Sequence, residues 1–244
     1  MSNFLKFAYL FFVGSIFGWF IELLFRKYFS VVNKEKKWVN PGFCIGPYLP
    51  IYGFGLYILY LLSRLGVYMP FSSKMMNTIA LIIVMGICMT LLEYIAGICL
   101  LKFMNLRLWD YSNNKWNFQG VICPFFSFGW TVLGMIYYFF IDPHILNALN
   151  WLANNLAFSF VIGMFFGVFI IDVIYSSQLI IKIRKYASEY EIIVLVERLK
   201  TQILSFNEQH QKKYYFFKPL YSEKKLFEYI NELKEEFESI KKVK

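Results

Sequence analysis

The 244-residue chain is 58% hydrophobic, 21% aromatic and 17% charged, with a formal net charge of +9. A soluble domain is usually about 45–50% apolar and about 25% charged, which excludes an ordinary soluble globule. The positive charge does not require nucleic acid, because basic connectors facing anionic lipid headgroups account for it.

The charges are unevenly placed. Residues 182–244 hold 14 of the 25 basic and 10 of the 16 acidic residues. The chain therefore reads as a membrane domain, 1–181, followed by a charged, amphipathic helical tail, 182–244.

Five apolar stretches are long enough to cross about 30 Å of hydrocarbon as helices, at 7–25, 47–65, 78–101, 120–141 and 156–181. Lipid supplies no partner for backbone polar groups, so the spans must be helical or part of a closed barrel. Barrel strands would alternate apolar and polar residues, and these runs do not. The expected fold class is all-α: a polytopic helical membrane bundle with a cytoplasmic helical hairpin at the C-terminus. The first span is too long for a signal peptide, ends in Glu22 and Arg26-Lys27, and is followed by no small-x-small cleavage site.

A pattern occurs twice. FGWFIELLFRKYF runs into WVNPGFCIGPYLP, with Glu22, Trp38, Gly42, Cys44 and Pro47. LLEYIAGICLLKF runs into LWDYSNNKWNFQGVICPFF, with Glu93, Trp109, Gly120, Cys123 and Pro124. Basic connectors mark the cytoplasmic side. Connector 26–46 carries five basic residues against Glu35, and 102–119 carries Lys102, Arg107 and Lys115 against Asp110, whereas 142–155 has no Lys or Arg. The expected topology has the N-terminus outside and the C-terminus cytoplasmic. The two copies then lie parallel, as two loose repeats of the kind some transporters use.

Acidic residues inside a span cost roughly 2.5–3.5 kcal/mol on insertion scales, and usually face the bundle interior. Glu22 has Arg26 at i+4, a local salt bridge near the interface. Glu93 has no cation within a helical turn and is the stronger candidate for a substrate path. Asp172 lies mid-span, with Tyr175 and Ser176 at i+3 and i+4. Discontinuous segments at matching places in two repeats point to a binding site. In NPGFCIGPYLPIYGFG, residues Gly42, Gly46, Pro47, Pro50, Tyr52 and Gly53 join the path candidates, because Pro and Gly prevent a uniform helix there. In the second connector the candidates are Trp109, Asp110, Tyr111, Asn117, Gly120 and Cys123.

The segment 142–155 reads as a short amphipathic piece on the outer surface, started by Pro143, with Ile145, Leu149 and Leu152 at helical spacing and Trp151 at the interface. In the tail, a helix is expected around 187–206, with Ile192, Val196, Leu199 and Ile203 on one face. A second is expected from Ser222 through Ile240. These stripes pack on each other, dimerise or receive a partner.

The four cysteines form no CxxC pair, His210 is a lone polar residue, and no phosphate loop, HExxH or GxSxG occurs. No metal, cofactor or catalytic residue is expected, and the chain has no ATPase of its own.

The segments FGWFIE, NPGFCIGPYLPIYGFG and LEYIAG…LWDYSNNKWNFQGVICPFFSFGW resemble the CmpB-like bacterial membrane proteins classed as type IV ABC-transporter permeases. The resemblance covers about residues 10–140. It implies a multi-pass protein of the bacterial plasma membrane, the permease subunit of a transporter with a separate ATPase in trans. The expected partners are the lipid bilayer, that ATPase and, through the tail, a second copy of the chain, with no nucleic acid. Beside the transporter stands a non-transporting scaffold, sensor or assembly factor whose tail recruits a partner. An intramembrane enzyme using Glu93 and Asp110 is the third reading.

Overall fold

The computed structural model describes residues 2–30, 32–66, 73–189, 193–209, 216–217 and 220. In chain order its helices are α1 (Asn3–Tyr28), α2 (Pro50–Leu65), α3 (Lys74–Met104), α4 (Pro124–Ile136), α5 (Asp142–Asn154), α6 (Ser159–Glu189) and α7 (Val196–Gln209). Two two-residue strands, β1 (Leu106–Arg107) and β2 (Val194–Leu195), pair in parallel, Leu106 with Val194 and Arg107 with Leu195. The fold is all-α. Four helical stretches are long and apolar enough to cross a membrane: Asn3–Tyr28, Lys74–Met104, Pro124–Asn154 and Leu156–Lys185.

The helix α2 has 16 residues, shorter than the roughly 20 that span hydrocarbon. It starts at Pro50 rather than at 47, because Pro47 and Pro50 lack donors and only Pro50 occupies a first-turn position where none is needed.

Between α4 and α5 the chain makes one π-helical turn, Tyr137–Ile141. Stretch 120–141 and the amphipathic piece after it are therefore one helical run from Pro124 to Asn154, not a span followed by a separate surface segment. Pro143 explains the wide turn: its ring conflicts with the carbonyl four residues earlier, and an extra residue in the preceding turn relieves it. Ile145, Leu149 and Leu152 are buried, as their spacing predicts.

The chain divides into two compact units, and the division falls inside α1, α3 and α6. The first comprises Met1–Gly18, Tyr48–Ile98 and Asp110–Ile170. Its core holds Leu10, Leu59, Tyr60, Leu81, Met85, Met89, Tyr137, Ile145 and Leu149. Small residues bring its helices close. A Cβ on Gly18 would lie 2.1 Å from the Tyr52 ring, and one on Gly86 would lie 2.1 Å from Thr131 Oγ1. Phe11 and Phe12 of α1 pack against the rings of Phe165, Phe166 and Phe169 of α6.

The second unit comprises Trp19–Pro47, Cys99–Trp109 and Ile171–Lys244. Its core joins Leu106, Ile180, Ile183, Ala187, Val194, Val196, Leu199 and Ile203. The single helix expected around 187–206 is divided: α6 ends at Glu189, and β2 precedes α7. Among the described residues α7 packs on the end of α6 and on β1. Ile192, His210 and the expected helix from Ser222 lie outside the described residues.

Candidate functional site

Two polar centres are built inside these units. In the first, Glu93 of α3 is 3% exposed. Its Oε1 accepts a hydrogen bond from the Tyr111 hydroxyl at 2.9 Å, and its Oε2 accepts one from Trp130 Nε1 at 2.9 Å. Trp130 lies on α4 and its ring contacts that of Tyr52 on α2, with centroids 5.8 Å apart. Glu93, Tyr52, Tyr111 and Trp130 thus come together from α3, α2, the second connector and α4.

The second connector is an ordered polar turn. Tyr111 N donates to Gly120 O at 2.8 Å, and Gly120 N donates to Asn117 Oδ1 at 3.0 Å. Asn117 Nδ2 donates to Ser112 O and Asn114 O, and the Ser112 amide and hydroxyl both donate to Asp110 Oδ1. Gly120, at φ 68°, takes the left-handed conformation that glycine tolerates best. The buried Cys123 thiol sulfur accepts from Asn114 Nδ2 at 3.4 Å. The Tyr111 ring stacks on Phe126, centroids 4.2 Å apart. Asp110, Asn117, Gly120 and Cys123 are thus tied into the turn that carries Tyr111. Trp109 belongs to the other unit.

In the second unit the first connector, 29–47, is gripped from several elements. Asp172 of α6 is buried and accepts hydrogen bonds from Ile45 N at 3.1 Å, Gly46 N at 2.7 Å and the Ser176 hydroxyl at 2.7 Å. The expected i+4 contact with Ser176 is present. Gly42, at φ 72°, bends the same segment. Lys200 of α7 donates through Nζ to Asn40 O at 2.9 Å and Gly42 O at 2.7 Å. The Asn40 side chain accepts from Trp19 Nε1 at 2.7 Å and donates to Ile45 O at 2.9 Å.

Glu22 forms its expected pair with Arg26, Nε to Oε1 at 2.9 Å. The same guanidinium also donates to Glu197 Oε2 at 2.8 Å and to Leu108 O at 3.2 Å, and Ser30 Oγ donates to Glu197 Oε1 at 2.6 Å. Burial, then the neighbouring Arg26 charge, lowers the Lys200 ammonium to about 7, against the pull of Cys44 and Glu197. Burial, then the Asp172 charge, pushes the Cys44 thiol up to about 12, which makes it an inert thiol at neutral pH.

Of the path candidates, Glu93, Tyr52, Gly53 and Pro50 fall in the first unit, and Glu22, Asp172, Gly42, Gly46 and Pro47 in the second. Sequence reading missed Trp130, Asn40, Glu197 and Lys200. Trp130 had a signal, an indole donor at the end of SFGW in one apolar span, when the carboxylate of another span needs a partner. Glu197 and Lys200 had a weaker one: both sit beside Val196 and Leu199, on a stripe read as apolar.

The chemistry of the Glu93 centre is that of a held carboxylate. Each oxygen accepts one of these two donors, so the carboxylate ties Tyr111 of the connector to Trp130 of α4. No curated protein and no solved structure matches the chain. The helices and the motif-bearing connectors do have a family counterpart: the model described as "Putative ABC-transporter type IV" matches residues 9–177, well over half of the chain, which therefore belongs to that family of transporter-related membrane proteins.

Proposed function

We propose that this chain is the permease subunit of an ABC-type transporter in a bacterial plasma membrane, working with a separate ATPase. Its N-terminus is outside and its tail cytoplasmic. The observation that carries the reading is Glu93. A carboxylate within a long apolar helix is expensive, and this one is clasped by donors from α4 and from the second connector. A site that a connector and a span build together can pass a movement from one to the other.

The two connectors support a duplicated design. Gly42 and Gly120 share a positive φ, Cys44 and Cys123 are both buried, and Pro50 and Pro124 each open the helix that follows. Helix α7 engages the first connector through Glu197 and Lys200. An ATPase that docks on either therefore acts on both.

The test is purification from the native membrane together with transport by Glu93→Gln. A stoichiometric ATPase should accompany the wild type, and the variant should insert and fold while transport is lost. Wild-type transport in the variant removes Glu93 from the path. Tail-dependent capture of another protein with no ATPase replaces the permease reading with the scaffold.

A further inference from the structure

The second connector contains apolar surface that neither the Glu93 centre nor the proposed transport role uses. Trp116 is 88% exposed and Phe118 is 54% exposed, at the tip of the turn whose polar groups bond to one another. The turn holds Trp116 outward in a left-handed conformation, φ 57°, with Gln119 at φ 56°. That geometry is rarely adopted by a bulky residue and persists only where its surroundings impose it.

The place of the tip along the span follows from three contacts. The Phe118 ring meets Tyr94, centroids 5.7 Å apart, and Tyr94 directly follows Glu93 on α3. Glu93 bonds to Trp130. Trp130 lies six residues into α4 from Pro124, about 9 Å at 1.5 Å per residue. Phe118 also pairs with Ile122, two residues before Pro124, so the tip of the turn lies beside the start of α4. On α4 itself, Phe125 is 75% and Phe128 is 68% exposed, and they belong to the lipid-facing surface of a helix that crosses the membrane. Trp116 and Phe118 extend that apolar surface beyond the helix, and the neighbouring Lys115 is exposed.

We infer that the 111–120 turn is an interfacial anchor. Trp116 and Phe118 seat in the glycerol and upper acyl region of the bilayer, with Lys115 at the level of the phosphates. The occupant is lipid rather than protein for two reasons. The surface is continuous with the lipid-facing side of α4, and an indole flanked by an ammonium suits the apolar-to-polar gradient of that zone. Tyr111 sits in the same turn, so the anchor also sets the depth at which Glu93 is clasped.

The experiment is photo-crosslinking of the full-length protein in nanodiscs of phosphatidylcholine and phosphatidylglycerol. A benzophenone amino acid is placed in turn at positions 116 and 118, and at 113 as an exposed polar control in the same turn. Mass spectrometry then identifies the adducts. Lipid adducts at 116 and 118 should exceed those at 113 at least fivefold. In vesicles of native membrane, lipid should remain the main adduct at 116. Equal yields at the three positions overturn the proposal, and so does a protein adduct that replaces lipid at 116 in native vesicles.

Quenching of tryptophan fluorescence by lipids brominated near the headgroup supplies a second readout. The component lost in Trp116→Phe should be quenched at least twofold more than the remaining signal. Equal quenching counts against the anchor.

Discussion

At the residue scale, the acids inside the spans divide by what lies near them in sequence. Glu22 and Arg26 are four residues apart on one helix, so their bond is legible from spacing alone. So is the Ser176 bond to Asp172. The remaining partners are distant: Tyr111 is 18 residues from Glu93, Trp130 is 37, and the Ile45 amide is 127 from Asp172. No local pattern encodes a contact of that kind, since the same indole or amide could face any neighbouring helix. Trp130→Phe and Tyr111→Phe should each destabilise the protein by about 1–3 kcal/mol, the usual range for removing one partner of a buried or charged hydrogen bond. Equilibrium unfolding in mixed micelles measures it, and a loss below about 0.5 kcal/mol for both would show that Glu93 does not depend on them. Asp172→Asn presents an NH2 group to one of two backbone amides. Hydrogen exchange at Ile45 and Gly46 should rise at least tenfold, and unchanged exchange would show that the carboxylate does not hold this segment.

At the element scale, close packing and burial set the behaviour of helices whose apolar patterns look alike. Gly18→Ala and Gly86→Ala force a methyl against Tyr52 and Thr131, and each should cost about 1–3 kcal/mol as overpacking. Gly163→Ala and Gly167→Ala on α6 meet nothing within 4 Å and should be neutral or slightly stabilising. Equal losses at all four positions would contradict the packing. Helix α7 makes a second case. Its stripe of Val196, Leu199 and Ile203 is plain in sequence and buried in the fold. Its buried Lys200 is not plain, because lysine is ordinarily an exposed residue.

The lowered Lys200 value has a sign that can be checked. Between about 7 and 10.5 the folded chain has released this proton and the unfolded chain still holds it. The unfolded state then binds more protons, so this group's contribution to stability rises with pH across that window and is least favourable below 7. The groups facing Lys200 are Arg26 of α1, Cys44 and the Asn40 and Gly42 carbonyls of the connector, and Glu197 on α7 itself. Opening free energies of amides 40–46, from hydrogen exchange corrected for intrinsic rate, should increase from pH 7 to 9. In Lys200→Met they should be flat, and a slope equal to that of the wild type would assign the effect to another group.

At the scale of the whole molecule, the proposed topology makes its own prediction. Reporter fusions should place the C-terminus in the cytoplasm and the N-terminus outside, and the opposite pair of signals would reverse the sidedness of both connectors. By itself the sequence determined that this is an all-α membrane protein, because an apolar run in lipid has few ways to satisfy its backbone and helix length follows from bilayer thickness. It also determined which residues are costly where they stand, since a carboxylate in such a run is conspicuous whatever surrounds it. Tertiary structure alone decided what those carboxylates hold. It brought Tyr111 and Trp130 to Glu93, set Asp172 against the Ile45 and Gly46 amides, and inserted Lys200 beneath the Asn40 and Gly42 carbonyls. The physical reason is range. Hydrophobicity and helical spacing act over a few residues and can be read along the chain, whereas a buried hydrogen bond depends on which segments meet, and that is settled only when the helices pack.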